Sequence, residues 1–136
     1  MAEAVIITTD KSKIDFDKVS AFIQQSYWGK GRTREDIRHA FDHSHCFSAF
    51  IDCEQVGFAR VATDYTYHAY IYDVFVFEEF RNKGISRKLL EAILADEELA
   101  RLPGFMLTTR DAHGLYAKYG FTALEEPDRY MVFRRA

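Results

Sequence analysis

The run AYIYDVFVF, residues 69–77, is apolar at both odd and even positions, with Asp73 as its single charged residue. A strand with one wet face alternates apolar and polar residues. One that is apolar at both parities is buried on both faces and belongs at the centre of a sheet covered on each side. From this run the chain passes through EEFRNKGI into SRKLLEAILADEELA, whose periodicity predicts an amphipathic helix over 86–100. GFMLTTR, 104–110, then reads as a second strand. Strand, helix and strand in this order make a βαβ unit with parallel, neighbouring strands. The fold class is therefore mixed α/β around a central sheet.

The remaining segments attach to that unit. AVIITT, 4–9, is β-branched and reads as a strand. DFDKVSAFIQQSYW, 15–28, places Phe16, Val19, Phe22, Ile23 and Tyr27 on one helical stripe, with Asp15 or Asp17 near the cap. Gly29 and Gly31 break the chain before a second helix, TREDIRHAFDHS, whose Thr33 and Asp36 resemble a capping box. Strands at 46–52 and 55–63 form a hairpin through a Cys53-Glu54 turn. A short helix, AHGLYAKYG, ends at Gly120, and two closing strands are expected around 121–125 and 129–134. Exposed aromatics there, such as Tyr130 and Phe133, leave a homodimer through paired closing strands open.

A chain of 136 residues suits one domain, 1–136, with one sizeable core. Net charge is −3 and the pI about 5.9, so the broad basic field of a non-specific nucleic-acid binder is missing and no nucleic-acid partner is expected. No apolar run approaches the ~20 residues of a membrane span, and MAEAVIITTDKSK has no signal-peptide pattern. The expectation is a cytoplasmic protein without a membrane partner. Cys46 and Cys53 read as free thiols. HSHC, residues 43–46, fits no closed zinc spacing, so no metal is expected.

The helix that begins near Ser86 poses an electrostatic problem. Its first turn and the preceding loop carry Arg81, Lys83, Arg87 and Lys88, yet a helix N-terminus is already partly positive. Gly84 permits a positive φ or a close approach, and loop N–H groups there would face outward. An anion, and specifically a pyrophosphate, would make the arrangement favourable. Neither GxxxxGK[ST] nor GxGxxG is present, so the loop is neither a P-loop nor a Rossmann turn.

VFEEFRNKGIS resembles the acyl-CoA signature of the GNAT superfamily of N-acetyltransferases, V-x-P-x-x-R-x-x-G-x-G/A. Val76, Arg81 and Gly84 match, Glu78 replaces the frequent Pro, and Ser86 stands at the Gly/Ala position. AHGLYAKYGF is similar to a second motif, A-x-x-L-Y-x-K-x-G-F, through Ala112, Leu115, Tyr116, Lys118, Gly120 and Phe121. The resemblance implies a mostly antiparallel mixed sheet of about six or seven strands, four helices and a splayed parallel pair. It implies acetyl-CoA as cofactor, with its pyrophosphate on Arg81, Asn82, Lys83, Gly84, Ile85 and Ser86. The pantetheine would lie between Val74, Phe75 and Val76 on one side and Thr109 on the other. The reaction implied is acetyl transfer to an amine of a small molecule or peptide, with an oxyanion donor among the N–H groups near Val74 to Val76. By similarity Tyr116 is the general acid that protonates the departing thiolate.

The base is not fixed by the resemblance. Asp73, a carboxylate in an otherwise apolar strand, is one candidate; an ion pair with Arg60 or Arg110 is the alternative. His113, three residues before Tyr116, is another, and a water relay a third. In the family the early helices shape the acceptor pocket. Tyr27, Trp28 and Arg32, with Asp64 and Tyr65 from a facing loop, would suit a cationic amine through cation–π and charge contacts. Arg32 could equally recognise an acceptor carboxylate. A non-catalytic acyl-CoA-binding module is the second function class, and Tyr116 favours catalysis over it.

Overall fold

The computed structural model describes residues 4–135. Its centre is a five-stranded sheet in the order β1-β2-β3-β4-β5, antiparallel except for the last pair. The strands are β1 (Val5–Thr8), β2 (His45–Ile51), β3 (Glu54–Thr63), β4 (Ala69–Val76) and β5 (Met106–Leu107). The helices are α1 (Phe16–Gln25), α2 (Arg34–Asp42), α3 (Ile85–Ala95) and α4 (His113–Ala117). Among the described residues, no helix is long and apolar enough to cross a membrane.

Each face of the sheet has its own core. On one, Val19 and Ile23 of α1 and Ile37 and Phe41 of α2 pack on Phe58 and Phe75. Phe22 stacks on Phe75 at 4.2 Å between centroids. On the other, Ile85, Leu89, Leu90 and Ile93 of α3 cover Ala49, Val56, Ala59 and Ile71, and Tyr116 of α4 joins them. Burial of these side chains, each worth about 1.5–3 kcal/mol, is the main force holding the layers. Buried Gln55 ties α1 to β3 by accepting from the Asp15 N–H and donating to the Gly57 carbonyl.

A bulge interrupts β4. Arg60 pairs with Tyr72 and Phe58 with Phe75, so Asp73 and Val74 together face the single residue Ala59. Before the bulge Ala69 and Ile71 point toward α3; after it Val74 and Val76 do, while Phe75 and Phe77 join the opposite core. Asp73 takes a left-handed conformation, φ 53°. Beyond the bulge β4 also parts from β5, which pairs with it only at Tyr70 and Ile71.

Several sequence expectations need correction. The sheet has five strands, because 121–125 and 129–134 form none; Pro127 starts a 3-10 turn, and Met131 and Phe133 are 97% and 83% exposed. Alternating residues make a strand only against a partner, and two-residue β5 offers almost no edge. The 104–110 strand shrinks to Met106–Leu107 for the same reason. The first helix stops at Gln25, where the Ser26 hydroxyl donates to the Ile23 carbonyl, so Tyr27 leaves the helical stripe and is 64% exposed. Asp96 ends α3 and caps a 3-10 turn, Glu97–Leu99, in place of a helix to residue 100. The hairpin turn is Asp52-Cys53, with Glu54 already paired to Ile51.

Gly57 sets how closely α3 approaches the sheet. A Cβ there would lie 3.1 Å from the Phe75 carbonyl and 3.2 and 3.3 Å from Ile85 and Leu89 side-chain atoms. Gly57→Val is expected to destabilise the protein by about 1–3 kcal/mol, read as a lower urea midpoint at unchanged m-value.

Candidate functional site

The parting of β4 from the chain after β5 opens a cleft of about 1210 Å³ that runs from the start of α3 to the α1–α2 connection. At one end lies the loop that precedes α3. Asn82 and Gly84 are both left-handed, φ 66° and 76°, and alternation of this kind turns successive N–H groups toward one point. No side chain caps α3, whereas Asp15 caps α1 and Thr33 caps α2. The first-turn N–H groups of α3 thus stay open toward the cleft, beside Arg81 and Arg87 in its wall. Arg81 is positioned by its Nε, which donates to the Val76 carbonyl at 3.2 Å. These features together fit a phosphate-bearing ligand.

The middle of the cleft is walled by Val74, Phe75 and Val76 on β4 and by Thr108 and Thr109 opposite. The Thr109 hydroxyl accepts from the Ala112 N–H at 3.0 Å, which turns the chain into α4. The α4 residue Tyr116 lines the same space, and burial raises its phenol above the ordinary value.

At the other end Asp73 gathers donors from three parts of the chain. Its Oδ1 accepts from Trp28 Nε1 and from Arg32, both at 3.0 Å, and its Oδ2 accepts from Arg60 Nε at 2.8 Å. The carboxylate is only 2% exposed, and Arg60 also donates to the Ser44 hydroxyl and lies over the Tyr72 ring. Of the two ion-pair partners weighed from sequence, Arg60 is the one in contact. Arg110 instead covers the Tyr27 ring at 4.5 Å from across the cleft.

Most of the residues singled out in the sequence meet in this cleft: Asp73 and Tyr116, 74–76, Arg81, Asn82, Gly84, Ile85, Ser86, Thr109, Tyr27, Trp28 and Arg32. Lys83 is not in its wall and lies near the Phe80 ring. His113 is exposed and outside it. Asp64 and Tyr65 are also outside. Asp64 accepts from the N–H groups of Thr66, Tyr67 and His68, which lower its carboxyl to about 2. Tyr65 packs edge-on to His45, whose Nε2 contacts Asp96 and Glu98 at 3.2 and 3.4 Å. Arg110 and Phe22 belong to the cleft without having been marked as acceptor residues. Only an aromatic next to a basic residue in the folded chain could reveal Arg110, and the two are far apart in sequence.

Residues 16–121 match the model of the acetyltransferase (GNAT) family. The chain belongs to that family. A GNAT-family protein from Xanthomonas campestris pv. campestris, solved as a crystal structure, is 40% identical, with 99% of this chain and 96% of that one covered at a TM-score of 0.94. A probable acetyltransferase from meticillin-resistant Staphylococcus aureus shares the fold at 19% identity and a TM-score of 0.77, covering 98% and 100% of the two chains. So does a Clostridium acetobutylicum protein solved with acetyl-CoA, at 13% identity and a TM-score of 0.71 over 96% of each chain. Comparison with curated protein sequences finds no match.

The structure separates two aspartates that the sequence grouped as functional. Asp73→Ala leaves two guanidiniums without their counter-charge and is expected to cost about 3–5 kcal/mol in denaturant unfolding. Asp64→Ala, in an exposed turn outside the cleft, is expected to leave turnover and the acceptor KM unchanged.

Proposed function

We propose that this GNAT protein is an acetyl-CoA-dependent N-acetyltransferase acting on a primary amine of a small molecule or peptide. The observation that carries the reading is the continuous cleft. It joins an uncapped, arginine-flanked helix start to a strand pair that separates, and brings Tyr116 into the same wall. Bound acetyl-CoA would supply an acetyl group activated as a thioester. The 82–86 N–H groups with Arg81 and Arg87 would hold its pyrophosphate, and backbone groups of Val74, Phe75 and Val76 would border its pantetheine arm.

Chemistry then needs three contributions from the chain. An N–H in the bulged part of β4, near Val74 to Val76, would stabilise negative charge as it develops on the carbonyl oxygen. Tyr116, kept neutral by burial, would donate its proton to the leaving sulfur. Proton removal from the acceptor falls to water in the open cleft, because both Asp73 oxygens are engaged by donors and His113 lies outside. Asp73 is then a positioning residue that holds the acceptor wall against β4.

Coenzyme A thiol release from acetyl-CoA, followed over a panel of amines, tests the reading. Tyr116→Phe is expected to lower turnover tenfold or more while acetyl-CoA binding stays intact, in line with loss of a general acid worth about 10²–10⁴. The alkaline limb of wild-type turnover should lie above the ordinary phenol value of about 10, since burial disfavours the phenolate and the neutral acid is the active form. Failure to bind acetyl-CoA would overturn the assignment.

A further inference from the structure

Asp73 brings one negative charge to a contact with two guanidiniums, those of Arg32 and Arg60. Arg60 is committed: it donates to Asp73 and Ser44, and its side chain is 11% exposed. Arg32 gives one nitrogen to Asp73 and remains 35% exposed in the cleft wall. Arg110 adds another cation from the opposite wall. The carboxylates lining the cleft are Asp73 and Asp111, and Asp111 is exposed. Asp73 is saturated by its three donors, so Arg32 and Arg110 are the cations that face the cleft at this end. Arg81 and Arg87 belong to the phosphate end.

The aromatic residues that would favour a cationic acceptor are already occupied. The cation over Tyr27 is the protein's own Arg110, and Trp28 packs edge-on to Tyr27 and points its N–H at Asp73. A polyamine entering here would meet Arg32 and Arg110 and find Tyr27 already paired with a cation.

We propose that the acceptor amine carries a carboxylate, seated between Arg32 and Arg110, as an amino acid or a peptide with a nearby free carboxylate would. The proposal rests on the transferase reading and names its substrate class. The planar guanidinium forks suit paired hydrogen bonds to a carboxylate, a match that an amide or a second amine does not make.

The test compares matched acceptors that share one amine and differ only in carrying a carboxylate, the corresponding carboxamide, or neither. Coenzyme A release is followed for each, and acetyl-CoA binding is measured separately by calorimetry. The carboxylate form is expected to have kcat/KM higher by at least about tenfold, the range of one charge-assisted hydrogen bond. Arg110→Gln, at an exposed position, should raise KM for the carboxylate form by a similar factor, with a much smaller effect on the carboxamide. Arg32→Lys, which keeps the charge but loses the fork, should erode the same preference. Equal or better use of carboxamides or diamines would overturn the proposal, as would a carboxylate preference that survives both substitutions. Acetyl-CoA binding without acetylation of any carboxylate-bearing amine would overturn it and leave the cofactor reading standing; absence of acetyl-CoA binding would remove both.

Discussion

The Asp73 carboxylate joins parts of the chain that are otherwise held by separate cores. Trp28 and Arg32 come from the connection between α1 and α2, Arg60 from β3, and Asp73 from the bulge in β4. A left-handed non-glycine residue costs about 1–3 kcal/mol, and a buried carboxylate is costly unless it is fully paired. The three donors offset both terms at one point. Such a network adds little net stability over an apolar filling, because each ion gives up its hydration. What it secures is register: the bulge has one place to form, and the acceptor wall has one way to sit on it.

The consequences of the bulge run through the molecule. It moves the α3-facing residues of β4 from odd to even positions. It coincides with the point where β4 and β5 part, and the gap becomes the middle of the cleft. It also leaves the strand with an extra residue whose backbone groups fall outside the regular ladder. A flat, fully paired β4 would be the more stable strand and would have no place for a ligand. The cation-flanked start of α3 has no side-chain cap, unlike the starts of α1 and α2.

What could be read from sequence follows the range of the interaction concerned. Local hydrogen bonding is encoded in neighbouring residues, so Thr33 was recognisable as a cap, Asp15 as one of two candidates, and Gly84 as a site of positive φ or close approach; the structure has Asp15 as the cap and Gly84 left-handed. The burial of β4 on both faces was legible from its composition, but it lies fourth of five strands, beside a two-residue β5, and its bulge was not legible. Tyr27 fitted a helical stripe by spacing, but a serine hydroxyl one residue earlier ends the helix. The closing strands had the right alternation and lacked an edge to pair with. Asp64 and Tyr65 looked like binding residues because they are polar and aromatic; the fold spends one on a turn and packs the other against His45. Arg110 against Tyr27 has no signature short of the folded chain.

The role of Asp73 in the architecture also constrains the chemistry. A general base must take up a proton during each turnover. Were Asp73 to do so, Arg32 and Arg60 would lose their shared counter-charge in a largely buried site, and the wall that orients the acceptor would loosen at the moment it is needed. The three donors to Asp73 thus favour the anchoring role over that of a base, since both carboxylate oxygens are already engaged. Tyr116 faces no such conflict. Its burial favours the protonated phenol, the form that the proposed role as general acid requires.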